Sequence, residues 1–167
     1  MWTIRTAVLV LATMATGLTA GTFLLYGNAV MPGLKNTDDR TFVGAFQAMD
    51  RAIVNPWFLG GGFFGALILA IVAAVLHLDE ERRSVLPWII AAIVLHLVVV
   101  ILTMAVNVPM NDELKAAGNP ATIDVAAARE AFNEAKWVAW NWVRVVLDVG
   151  AFGALGIALV AHGKTVA

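Results

Sequence analysis

The chain has 167 residues, 60% of them hydrophobic and 14% charged, with a formal net charge of −1 and no cysteine; mean hydropathy is +0.82. A soluble domain carries about 25% charged and about 45–50% apolar residues, so lipid is the expected solvent here. Without a basic footprint there is no nucleic-acid partner to expect, and without cysteine there are no disulfides, thiolate metal sites or CxxCH haem attachments.

The spacing of charge defines the elements. No Asp, Glu, Lys or Arg occurs from Thr6 to Leu34, from Ala52 to Leu78, or from Ser84 to Asn111. Each window exceeds the roughly 20 apolar residues that cross about 30 Å of hydrocarbon as a helix. Backbone amides in lipid must be paired within the segment, which selects helices. The reading is therefore all-α: a single membrane domain over 1–167, an integral four-transmembrane-helix bundle with two longer loops on one face.

Helix 1 is expected at about 4–30. Arg5 ahead of an apolar run has the look of a signal peptide, but the run is too long for one, and retention as a span is expected. In the following loop, Phe42, Ala45, Phe46 and Met49 fall at helical spacing. They predict a short amphipathic helix at about 41–50, read either as a lid over a cavity or as an interfacial helix that simply packs. Helix 2 is expected at 53–78, with Asn55-Pro56 at its entry. A short charged turn, Asp79 to Arg83, leads to helix 3 at 85–107. After Asn119-Pro120, Asp124 is a candidate N-cap, and Val125 to Lys136 is rich in helix formers. Helix 4, at 137–162, is thus expected to begin outside the membrane and run inward without a break.

Four spans place both termini on the face of the short turn. Arg5, Arg82, Arg83 and Lys164 are dense there, whereas six basic residues are spread over the long loops. That density predicts a plasma (inner) membrane protein with cytoplasmic termini. Trp2 and Trp88 are expected to mark one interface, and Trp57, Trp137, Trp140 and Trp142 the other. Gly17/Gly21, Gly61/Gly65 and Gly150/Ala154 form small-xxx-small rows, which suit intrachain packing or a homo-oligomer seam equally.

Polar residues inside the spans are costly, about 2.5–3.5 kcal/mol for a central Arg or Asp, and here they are grouped. Trp137, Trp140, Asn141, Arg144 and Asp148 share a face of helix 4; His96, Thr103, Asn107 and Asn111 share one of helix 3. At 1.5 Å per residue, Arg144 and Asp148 lie roughly 5 and 10 Å deeper than Asn141, and His96 roughly 16 Å deeper than Asn107. The two stripes are expected to line one pocket open toward the long loops. Two readings stand for each group. Arg144 and Asp148 are a self-neutralising ion pair or functional groups; His96 is a hydrogen-bonded core residue or a proton-transfer group. Asn107 and Asn111 cap a helix or bind. No metal site is expected, because His77 and His162 fall near the opposite face from His96.

The stretch Phe46 to Phe58, containing Asn55-Pro56-Trp57-Phe58, together with Asn107-Val-Pro109-Met-Asn111 and Trp140-Asn141-x-x-Arg144, resembles the motifs of the anthrone-oxygenase-like family of small four-helix membrane proteins. Gly21 and Pro32 also fall where that family keeps them, whereas Asp50 stands where an Asn is more usual. The resemblance implies oxidation of an anthrone-like aromatic by O2 without metal or flavin, so no cofactor is expected. Such chemistry needs an apolar pocket, a base and a cation. His96 or Asp148 is then the candidate base and Arg144 the oxyanion stabiliser. Asn107, Asn111, Asn141, Trp140 and Asn55 are the candidate substrate-binding residues. The alternative is a non-enzymatic binder of a lipophilic molecule, or an accessory subunit of a larger membrane complex.

Overall fold

The computed structural model describes residues 3–80 and 83–166. All regular structure among them is helical. Trp2 and Arg82, used above for the interface and the charge density, lie outside the described residues.

Four helical stretches are long and apolar enough to cross a membrane: Ile4–Lys35, Trp57–Leu76, Leu86–Ala116 and Val125–Thr165. This is an integral membrane protein by length and composition. The first stretch is α1 (Ile4–Leu25), a π-helical turn (Tyr26–Val30) and α2 (Met31–Lys35). It continues five residues past the expected end. Helix α3 (Asp39–Ile53) is the amphipathic segment, longer at both ends than 41–50. The second stretch opens with a π-helical segment (Trp57–Phe63) and continues as α4 (Phe64–Leu76). The third is α5 (Leu86–Leu102), a π turn (Thr103–Asn107) and α6 (Val108–Ala116). It passes through Pro109 instead of ending at Asn107. Then come α7 (Val125–Phe132) and α8 (Glu134–Val166).

The prolines explain two of the π turns. In an α-helix, Pro32 and Pro109 would press their rings on the carbonyls of Asn28 and Ala105 and withhold an N–H from them. Widening the preceding turn relieves the clash. The Met31 and Val108 amides bond five residues back instead, to Tyr26 and Thr103. In the second stretch Phe64 bonds to Leu59 in the same way.

The inward run from α7 is broken, contrary to expectation. Asn133 sits at φ 53°, ψ 66°, in the left-handed region. Its N–H closes α7 on Glu130, while its Oδ1 accepts from the Lys136 amide and so starts α8. Asparagine tolerates this conformation better than most residues.

Neighbours pack in cyclic order: α1 against α4, α4 against α5, α5 against α8, and α8 against α1. Leu9, Ala73, Val85, Ile89, Ala92 and Leu155 fill the half near the termini. On that face Arg5 pairs with Asp79 at 2.8 Å. A chain of contacts runs from His77 Nε2 to His162 Nδ1 and from His162 Nε2 to Thr6 Oγ1, each 3.0 Å. Sequence reading had placed these histidines together only loosely. At the other end α3 lies over the bundle, with Phe42, Val43 and Phe46 buried against Met31, Leu114, Phe132 and Trp137. Trp57 is exposed, but Trp137, expected at the interface, is buried.

The glycine rows do different jobs. A Cβ on Gly17 would sit 2.8 Å from the Phe152 ring, so Gly17 serves the α1–α8 approach. Gly21 and Gly61 face open space. A Cβ on Gly65 would fall 1.9 Å from the Gly60 carbonyl oxygen of its own widened turn.

Candidate functional site

Under α3, at the level of the three π turns, lies a cavity of about 290 Å³. That is the low end of the range for small-molecule pockets, roughly 300–1,000 Å³. Its wall is chiefly apolar: Phe23, Phe46, Ile53, Val54, Phe58, Leu59, Phe63, Phe64, Met104, Val108 and Trp137. Thr22, Tyr26, Asp50, Thr103, Asn111, Asn141 and Arg144 are its polar members.

Arg144 is only 3% exposed. Its guanidinium donates to Asn141 Oδ1 at 2.9 Å and to Thr103 Oγ1 at 3.3 Å. The planar group lies 4.4 Å from the Phe23 ring centroid and 5.4 Å from that of Trp137, within cation–π range. Its Nε is buried and unpartnered. The ion pair with Asp148, one of the two readings of these residues, does not form: among the described residues no carboxylate lies within 4.0 Å of this cation. Asn141 is held by its own Nδ2, which donates to the Phe23 carbonyl at 2.9 Å. The structure therefore holds a buried positive charge against an apolar cavity, with neutral acceptors and ring faces in direct contact and Asp148 acting on it only through space.

Asp148 goes elsewhere. His96 Nε2 donates to the Phe63 carbonyl at 2.8 Å, which leaves Nδ1 and Asp148 Oδ1 sharing one proton position at 2.6 Å. Both residues are buried, and neither lines the cavity. The contact ties the second, third and fourth spans together. His96 is thus a bonded interior residue, with both ring nitrogens engaged.

The carboxylate that does line the cavity is Asp50, on α3. Asn111 Nδ2 donates to its Oδ1 at 2.6 Å, and Lys115 Nζ lies 2.7 Å from its Oδ2. Asn111 Oδ1 in turn accepts from Trp137 Nε1 at 2.7 Å. Asp50, Asn111, Lys115 and Trp137 form one polar chain along the roof. Asn107 is buried behind it, its Nδ2 directed to the Trp137 carbonyl at 3.4 Å and its Oδ1 unpartnered.

Besides His96, Asp148 and Asn107, two more expected residues, Asn55 and Trp140, are not at the cavity. Asn55 accepts from the Trp57 and Phe58 amides and donates to the Ala52 and Ile53 carbonyls, so it is a helix cap with every polar atom engaged. Trp140 is half-buried and outside the lining. Asp50, Tyr26 and Thr22 were the polar members missed as site residues. The signal available for Asp50 was its place one turn beyond Phe46 on the amphipathic face.

A family model described as anthrone oxygenase matches residues 55–154, well over half of the chain. The match takes in the second and third spans and most of α8, hence Arg144, Asn141 and Asn111, but neither α1 nor α3. No curated protein and no solved structure matches the chain.

Proposed function

The chain belongs to the anthrone oxygenase family, and from that premise we propose that its cavity binds a lipophilic aromatic molecule by an oxygen atom placed on Arg144 and promotes its oxidation by O2. One observation carries the reading: a buried guanidinium, with no carboxylate within 4.0 Å among the described residues, faces a chiefly apolar cavity. Leaving such a charge uncompensated in lipid is expensive. A carbonyl oxygen gaining negative charge would compensate it, and would be stabilised most as the charge develops.

The steps balance as follows. Loss of a proton from the ring CH2 opposite the carbonyl gives a delocalised enolate whose oxygen rests on Arg144. The enolate passes one electron to O2, the radical and superoxide join at that carbon as a peroxide anion, return of the proton gives the hydroperoxide, and loss of water leaves a second carbonyl. Asp50, the carboxylate on the cavity wall, takes the first proton, with Asn111 and Lys115 fixing its position. His96 and Asp148 hold the walls in register from behind. Asn141 and Thr103 aim the guanidinium.

Oxygen uptake and quinone formation by the protein in lipid vesicles supplied with anthrone test this reading. Arg144→Lys, which keeps charge but loses the fork, is expected to lower turnover on the order of a hundredfold. Turnover unchanged in both Arg144→Lys and Asp50→Asn would sink it. The second reading, a binder without catalysis, is favoured by the full engagement of Asp50 with Lys115 and Asn111. It predicts anthrone binding with no oxygen uptake. We further propose that both termini face the cytoplasm.

A further inference from the structure

The cavity has two candidate approaches, one from water through α3 and one from the bilayer. The water side is latched. Gln47 Nε2 donates to the Leu114 and Gly118 carbonyls at 2.8 and 3.1 Å, Asp50 pairs with Lys115, and Arg129 pairs with Asp39 at 3.0 Å while its guanidinium lies over Phe42. Helix α3 is thereby fastened to α6 and α7 along its length. The amphipathic segment is a fixed roof rather than a hinged lid.

The bilayer side differs. Near the termini, α4 and α5 pack against each other. Toward the roof the widened turns take other neighbours, Trp57–Phe63 packing on α1 and Thr103–Asn107 on α8, so the contact between the second and third spans thins there. Val54, Phe64 and Met104 each line the cavity and are 59%, 38% and 52% exposed, whereas Phe23, Phe46 and Phe63 of the same wall are buried. All three lips are apolar. A mouth meant for water carries polar lips, whereas this one lies beside hydrocarbon and matches it.

We propose that the seam between the second and third spans is a lateral portal, and that the molecule bound at Arg144 enters it uncharged from the bilayer. This rests on the binding reading above and narrows its substrate class to membrane-dissolved neutral aromatics. Charge is acquired only inside, against Arg144.

Because the sequence has no cysteine, a single introduced thiol can plug the portal. In vesicles containing anthrone, uptake is followed by quenching of tryptophan fluorescence. Met104→Cys carrying a benzyl thiosulfonate label is expected to slow uptake about tenfold or more, as closing a gate does. The same label on Val146→Cys, 69% exposed on α8, is expected to have no effect, and Phe64→Cys serves as the second lip. Arg129→Met with Gln47→Leu, which loosens the roof, is expected to leave the rate unchanged. Unslowed uptake in both labelled lip variants, with faster uptake in the roof variant, would overturn the portal in favour of entry from water. No quenching by anthrone in the unmodified protein would overturn the binding reading, and the portal with it.

Discussion

Replacing Arg144 with methionine is expected to have two opposite effects. Anthrone binding should weaken by at least about tenfold, because the oxygen loses its only charged partner. The unliganded protein should become more stable by roughly 1–3 kcal/mol, because a buried cation with no contacting carboxylate gives way to an apolar side chain of similar reach. Titration and thermal unfolding in detergent measure the two effects separately. His96 and Asp148 should behave the other way. His96→Leu or Asp148→Leu alone strands a buried partner, at about 3–5 kcal/mol, whereas the double variant should cost much less than the sum. A double-mutant cycle on unfolding checks this; additive costs would mean that the contact is not a pair. At this scale Arg144, Asn141 and Asn111 were legible in the sequence because polar groups stand out in an apolar span. Trp140 misled because spacing of three and four covers a wide arc. At about 100° per residue it falls roughly 60° from Trp137, while Asn141, Arg144 and Asp148 stay within roughly 40°. Asp50 escaped notice because it belongs to no span, and only the fold lays α3 over the mouth.

Among the elements, α3 was legible from its apolar face, and its start rests on Asp38. That carboxylate accepts from the Thr41 amide and hydroxyl, which holds it below the ordinary aspartate range. Its support for α3 is therefore fully present above the ordinary value and is lost as pH falls through the depressed one. Hydrogen exchange across α3 should show acid fraying in the native chain, and Asp38→Asn, still a good cap, should remove that pH dependence. The break at Asn133 was not legible, because a left-handed residue leaves no mark on hydrophobic periodicity. Asn133→Ala should cost about 1–2 kcal/mol, with Asn133→Gly recovering part of it; thermal unfolding of the two variants is the check. Pro109 was visible, but its consequence was misjudged. A proline ends a helix in water more readily than in a bilayer, where the freed groups are re-paired by a wider turn.

For the molecule as a whole, hydropathy alone carried the four-span architecture, since no other arrangement hides so much apolar surface from water. The proposed orientation rests on loop charge, with Arg5, Arg83 and Lys164 on the face of the termini. Lys164→Cys settles it: with cytoplasmic termini, an impermeant maleimide should label it in inverted vesicles and not in intact cells. Labelling in intact cells would reverse the proposed orientation.

A π turn is arithmetically one residue inserted into an α-helix. Three of the four spans carry such a turn around the cavity, while α8 keeps an unbroken α register from Glu134 to Val166. The first and third, where helix continues past the turn, therefore slip in phase against α8 by about one residue, or roughly 100° of rotation, at the level of Arg144. Side chains beyond each slip face directions that an unbroken helical wheel would misassign. Deleting Ala29 or Ala105 would restore the phase and rotate the roof-side wall away from the guanidinium. In that sense the cavity is written in the chain as surplus residues, and a gap of one at these turns is the change to which it is most sensitive.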